Sequence, residues 1–271
     1  MPELPEVEIL KRELSTTVLH KTIDGSYQSN KKFKRLFPEL NILKNSTIKN
    51  IFRRNKYLIL ELNEKWLVIH LGMTGQLIFS SSLVLGKHTH FYFKFNDGTH
   101  LKFDDPRRFG SVDLYDKTVY SDYLKIPLFK NLGMEPLDSS FTFSKFHSYF
   151  NSSKNIKNFI MDAQYVCGIG NIYASEILFL SKISPTRLVK NINIKEQKLL
   201  FKLIPQVLQT SINLGGSSIS DFVHTNGTTG SMQQFYNTYG RNGKPCKACN
   251  NNIEKIVQNG RSTFYCPSCQ K

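Results

Sequence analysis

The 271-residue sequence predicts a multidomain α+β fold. Three observations carry that reading. Over roughly the first 130 positions apolar residues recur in short strand-like runs behind one opening helix. Beyond KNLGMEPLDSS (130–140), a stretch punctuated by Gly, Pro and Ser, the spacing becomes helical. Four of the five cysteines then crowd into the last 26 residues.

The elements follow in order. From Glu6 to His20 apolar residues fall at Val7, Leu10, Leu14 and Val18, a helical interval, and Pro5 suits a first turn. YLILEL (57–62) and KWLVIHL (65–71) read as strands, and HFYFKF (90–95) places Phe91, Phe93 and Phe95 on one face. Asn96-Asp97-Gly98 is a hairpin signal leading into THLKF. Many short strands with turns between them predict a sandwich or a barrel. The second region holds FSKFHSYF, IKNFIMDAQ, NIYASEILFLSKI and the long IKEQKLLFKLIPQVLQTSINL, with Pro205 inside it. GGSSISDFVHTNGTTGSMQQ (215–234), with four glycines and few large apolar residues, is expected to be a mobile loop. No internal repeat is present.

A hydrophobic content of 40% with 12% aromatics can build real cores, so disorder is not expected. No apolar run is long enough to cross a bilayer, and the start lacks the features of a signal peptide. The expectation is an intracellular, cytoplasmic protein without a membrane partner. Thirty-six Lys+Arg against 21 Asp+Glu give a formal charge of +15, which favours a polyanionic partner. The same excess also arises in chains simply rich in Lys, Asn and Ile.

Cys246-x2-Cys249-x16-Cys266-x2-Cys269 has the spacing of a four-cysteine zinc site. Between the pairs, Asn259-Gly260 separates two strand-like runs and predicts a two-residue hairpin with a type I′ turn. Four thiolates leave no open coordination position, so one structural zinc is expected. Cys167 reads as a small buried residue. Arg261, just past the turn, is either a solvated side chain or a phosphate clamp on a rigid tip.

The chain opens MPELPEVE. If the initiator methionine is removed, Pro2 presents a secondary amine. An α-amino group has a pKa of about 8 against roughly 10.4 for lysine, so part of it is unprotonated at neutral pH, as Schiff-base chemistry requires. Glu3 stands beside it as a candidate general acid; the alternative is an ordinary helix start. LGMTG (71–75) sets Met73 between glycines, and DDPRRFG (104–110) sets Arg107, Arg108 and Phe109 on a loop, as in apolar wedges that enter a base stack. GIGNIYASE (168–176) reads as a glycine turn with Asn171 as N-cap, a phosphate-binding arrangement. Each of these has an ordinary packing alternative.

Taken together, MPELPEVE, NKYLILEL, HLGMTG, DPRRFG, LGMEPL, MDAQYVCGIGNIYASE, the GGSS loop, YGRNGKPC and GRSTFYCPSCQ make a recognisable set in a recognisable order. The chain resembles the formamidopyrimidine-DNA glycosylases over essentially its full length. The sister family resembling endonuclease VIII shares the proline-glutamate start and zinc hairpin, but Leu4, Met73, Arg107 and Phe109 favour the former.

That resemblance implies a bifunctional DNA glycosylase and AP lyase acting as a monomer on double-stranded DNA with oxidised bases or abasic sites, chiefly 8-oxoguanine and formamidopyrimidines. Pro2 matches the nucleophile and Glu3 the proton donor. Lys56 matches the lysine of β-elimination, and Arg261 the arginine of δ-elimination. Glu6 and His70 match pocket residues. Met73, Arg107 and Phe109 match the residues that fill the gap behind a flipped base, with Arg107 toward the orphaned base. His88 and Asn171 match DNA-contacting positions, and Lys157 matches a lysine near the lesion. Ser153 stands where relatives often carry a basic residue, with Lys154 beside it, and Cys167 replaces an aliphatic residue. The implied domains are an N-terminal β-sandwich with its opening helix (2–130), a linker and start of the helical domain (131–150), a helix–two-turn–helix DNA-binding domain carrying a flexible lesion loop (151–234, loop 215–230) and the zinc hairpin (235–271). DNA is expected in a basic groove between the domains.

Overall fold

The structure, a computed structural model, describes residues 1–33, 35–218 and 223–271. The chain forms two compact units, Met1–Lys130 with Leu214–Gln233, and Asn131–Asn213 with Gln234–Lys271.

The first unit opens with helix α1 (Leu4–Thr17), which buries Leu4, Val7, Leu10 and Leu14, the predicted stripe, and carries Pro5 in its first turn. Eight antiparallel strands follow as a β-sandwich. One sheet has the order β1 (Ile23–Gln28), β6 (Thr89–Phe95), β7 (His100–Asp104), β5 (Gln76–Ser80). The other runs β2 (Asn50–Arg54), β3 (Tyr57–Glu61), β4 (Lys65–His70), β8 (Ser111–Asp116). Phe91, Phe93 and Phe95 are all fully buried, so the alternation in HFYFKF marks a core face. Each such side chain contributes roughly 1.5–3 kcal/mol on burial. Gly98 takes the left-handed backbone of the predicted 96–98 turn (φ 83°), and Phe95 N–H closes it on Thr99 O at 2.8 Å.

The segment Leu214–Gln233 groups with this sandwich rather than with the helices that precede it, unlike the 151–234 division expected from sequence. The reason is its anchors: Glu6 and Glu13 on α1 and Phe79 on edge strand β5 all bond to it. Residues 219–222 of the expected lesion loop lie outside the described residues.

The second unit contains α2 (Phe143–Ser148), α3 (Ile156–Ile160), α4 (Asn171–Leu180), the 20-residue α5 (Ile194–Asn213) and the hairpin β9 (Glu254–Gln258) and β10 (Arg261–Tyr265). Helix α4 is buried nearly all round, from Ile172 to Phe179, which makes it the centre of the unit. Its cap differs from the sequence expectation. Gly170 is the N-cap with extended backbone (φ −121°), and Asn171 is the first helical residue, its side chain free to bond elsewhere. Among the described residues no helix is long and apolar enough to cross a membrane.

Candidate active site

Pro2 is buried at the foot of α1, whereas Met1 is exposed. Glu3 and Glu6 are both buried and form a capping box, with Glu3 N–H donating to Glu6 Oε2 at 2.8 Å. Glu6 Oε1 accepts Ser217 N–H at 2.9 Å. One carboxylate therefore fixes both the backbone beside the candidate nucleophile and the start of the glycine-rich segment. Gly216 (φ 76°) makes that approach possible, because a Cβ there would lie 3.2 Å from Glu6 Oε1. The Ser217 hydroxyl is buried with no partner among the described residues. A buried unsatisfied hydroxyl is costly and suits a group completed by a ligand. The sequence reading missed Ser217, although its place after two glycines was the available signal.

Lys56 sits in the two-residue turn between β2 and β3, where Asn55 takes φ 56°. Arg53 ties this turn to α1, donating to Glu8 Oε2 and to Asn55 O, each at 3.0 Å. Burial alone would raise the Glu8 pKa, but Arg53, Lys11 and Arg12 outweigh it and hold the carboxylate below its usual range. His70 ends β4, opposite Tyr57, and its ring lies 4.8 Å from the tyrosine ring. Desolvation, with the Lys56 and Arg35 cations nearby, lowers its pKa to about 4. The imidazole is therefore neutral, with Nδ1 accepting Gly72 N–H at 3.0 Å.

Met73, Arg107 and Phe109 are all exposed, and they stand on two loops locked together. Asp105, which the sequence reading passed over, is fully buried and organises both loops. It accepts the Thr74 hydroxyl and Arg107 N–H (3.2 Å) on Oδ1, and Gly110 N–H (2.8 Å) on Oδ2. A Cβ on Gly72 would sit 2.4 Å from the Phe109 carbonyl carbon, so the two backbones are in direct contact. The Arg107 guanidinium lies 5.0 Å from the Phe109 ring centroid. His88, also exposed, is joined through its carbonyl, which accepts Asp105 N–H at 3.0 Å.

In the second unit Lys157 is not at the surface but 1% exposed. Its Nζ donates to Asn171 Oδ1 (2.6 Å), Thr263 Oγ1 (2.6 Å) and Ser262 O (3.2 Å). Asn171 Nδ2 also donates to Ser262 O at 2.8 Å. Lys157 and Asn171 thus fix the strand that begins with Arg261. Asn259 (φ 47°) and Gly260 (φ 71°) form the turn before it, with Arg261 paired to Gln258 and exposed. Lys154 is exposed and paired with Asp162 at 2.7 Å; Ser153 is exposed beside it. Cys167 is buried, as expected. Buried Glu176 accepts the backbone N–H of Asn237, Thr238 and Tyr239 at 2.8–2.9 Å, holding the approach to the cysteine tail against α4.

The sulfur atoms of Cys246, Cys249, Cys266 and Cys269 lie within 4.8 Å of one another. Cys246–Cys269 is 3.9 Å and Cys249–Cys266 is 3.5 Å. Tetrahedral Zn–S bonds of about 2.3 Å require S···S separations of roughly 3.8 Å. The set fits a single structural zinc, and Phe179, Ile253 and Phe264 pack around it.

Three family models match the chain. The formamidopyrimidine-DNA glycosylase N-terminal domain matches residues 1–112, and the H2TH domain of the same enzymes matches 132–223. A zinc finger found in FPG and IleRS matches 243–271. Formamidopyrimidine-DNA glycosylases from Ruthia magnifica and Wolbachia pipientis are 40% and 39% identical, with all of both chains covered in each comparison. Among solved structures, Lactococcus lactis Fpg in complex with DNA containing an abasic site superposes with a TM-score of 0.90 at 34% identity, covering 99% of each chain. MutM (FPG) from Thermus thermophilus gives 0.89 at 35% identity, covering 99% of this chain and 98% of the other. The chain belongs to the formamidopyrimidine-DNA glycosylase family.

Proposed function

We propose that this chain is a bifunctional DNA glycosylase and AP lyase that removes oxidised purines, 8-oxoguanine and formamidopyrimidines, from duplex DNA in the cytoplasm. The observation that carries the proposal is the buried Pro2–Glu3–Glu6 start joined to Ser217. In this reading Met1 is removed and the Pro2 amine attacks C1′ of the damaged nucleotide. Glu3 supplies the proton that opens the sugar ring, and the N-glycosidic bond breaks as the base departs. The product is an iminium on Pro2 that acidifies the C2′ proton. Loss of that proton expels the 3′ phosphate, with Lys56 assisting and contacting the backbone. A second elimination expels the 5′ phosphate, with Arg261 as its clamp. Met73, Arg107 and Phe109 fill the stack behind the extruded base, while His70 and His88 support the DNA contact. Zinc holds the hairpin and takes no part in these steps.

Borohydride trapping on duplexes carrying 8-oxoguanine or an oxidised pyrimidine tests the proposal, with Pro2→Gly as control. The pyrimidine arm is included because a Lactococcus lactis relative has been solved with oxidised-pyrimidine DNA. A covalent adduct on 8-oxoguanine that disappears in Pro2→Gly supports it. No adduct on either lesion sinks the enzyme reading, and an adduct on the pyrimidine alone moves the substrate class. A tagged chain that keeps residues before Pro2 should lose both eliminations.

A further inference from the structure

Glu6 and Glu13 lie seven residues apart on α1, two helical turns, and so share one face about 10 Å apart along the axis. Both reach the Leu214–Gln233 segment. Glu6 takes Ser217 N–H, as described. Glu13 Oε2 takes Thr225 N–H at 2.8 Å, and Glu13 Oε1 contacts His224 Nδ1. The His224 ring lies against Gly215 (φ 76°), where an added Cβ would come within 3.3 Å of Nε2 and the ring would have to give way. Thr225 O in turn accepts Phe79 N–H from edge strand β5 at 3.0 Å. The two arms of the segment are also joined to each other, through Ser231 N–H on Leu214 O (3.1 Å) and Met232 N–H on Gly216 O (3.0 Å).

From this geometry we infer that Glu13 and His224 are positioning residues for base excision. They fix the 223–230 arm to the same helix whose first turn holds Pro2. The distance between nucleophile and loop is then set by one rigid element and not by the loop itself. The inference rests on the reading that the glycine-rich segment borders the extruded base. Its consequence is selective. Base excision needs that segment in register with Pro2, but an abasic nucleotide offers no base to hold, so lyase chemistry does not.

The test compares single-turnover excision of 8-oxoguanine with strand cleavage at a preformed abasic site. Wild type, Glu13→Ala, His224→Leu and His224→Asn are measured, with thermal unfolding as a check on folding. The asparagine amide would keep a donor near the place of the imidazole Nδ1. Excision should fall about tenfold in Glu13→Ala and His224→Leu, with abasic cleavage unchanged within about twofold. His224→Asn should recover most of the loss. Excision unchanged in both truncating variants, or excision and lyase falling together, would overturn the inference while leaving the enzyme reading intact. A wild-type chain inert on both substrates would overturn the function and this inference with it.

Discussion

Replacing Asp105 by alanine should uncouple the wedge loops from the sandwich. In the native structure its two carboxylate oxygens satisfy the Thr74 hydroxyl and the Gly110 and Arg107 N–H groups. The first two of these bonds are fully buried, so neither donor can turn to water when the carboxylate is lost. Each stranded buried donor costs about 1–3 kcal/mol. Arg107 N–H is shared with Thr74 Oγ1 at 3.2 Å and partly exposed, so its loss adds little. The expected destabilisation is therefore about 2–6 kcal/mol, a large fraction of a typical domain's stability. Asp105→Asn keeps one oxygen acceptor and should lose about half as much. Urea unfolding followed by Trp66 fluorescence reports on the first unit, because Trp66 is the only tryptophan and lies on β4. Trapping on abasic DNA should survive in any fraction that remains folded, while excision of a paired 8-oxoguanine falls further. An Asp105→Ala protein within about 0.5 kcal/mol of wild type, with normal excision, would refute the argument.

Other perturbations have equally definite outcomes. His70 in the folded chain titrates at about 4, below its ordinary 6.5. Between these values the unfolded chain binds more protons, so stability from the neutral imidazole is complete above about pH 6.5 and is lost as pH falls toward 4. NMR titration of the ring nitrogens should show a neutral imidazole at pH 5.5, and Lys56→Ala should raise its pKa; titration near 6.5 in the native protein would contradict the burial argument. Lys157→Met removes the ammonium donor from Asn171 Oδ1 and Thr263 Oγ1, while Ser262 O keeps Asn171 Nδ2, and should destabilise the second unit by roughly 1–3 kcal/mol. It should also raise the share of β- over β,δ-elimination product on a sequencing gel. Arg261→Gln should shift the products the same way while leaving stability within about 0.5 kcal/mol. Elemental analysis should give one zinc per chain. Chelation should lower DNA affinity by loosening the hairpin; full binding by a metal-free chain would refute a structural zinc.

What the sequence displayed was local. The Asn-Gly turn, the paired cysteines and the Phe91–Phe93–Phe95 alternation declare themselves because turn chemistry, ligand spacing and strand period all act over a few residues. The opening helix and α5 were legible for the same reason. Asp105 was read as part of a loop motif, since its partner Thr74, 31 positions away, reaches it only after β5 and β7 pair. Lys157 looked like a DNA contact, and its burial appears only once α3, α4 and the zinc hairpin meet. Glu13 and His224 are 211 positions apart and nothing nearby in the chain marks either. The shift of the α4 cap from Asn171 to Gly170 has a similar cause. Ser262 O draws the asparagine side chain away from its own backbone, a competition no local pattern records.

Under the proposed role of Met73, Arg107 and Phe109 in the base stack, the contact between Gly72 and the Phe109 backbone has a consequence for search. A protein testing one base step after another meets undamaged stacks far more often than lesions. A floppy probe would lose conformational entropy at every encounter, a recurring penalty of about 1–2 kcal/mol for each backbone residue ordered. Here the two loops are already one stiff tooth, ordered once when the chain folds. Repeated trials then leave the protein unchanged, and the stack that yields is selected by the mechanical weakness of the DNA itself.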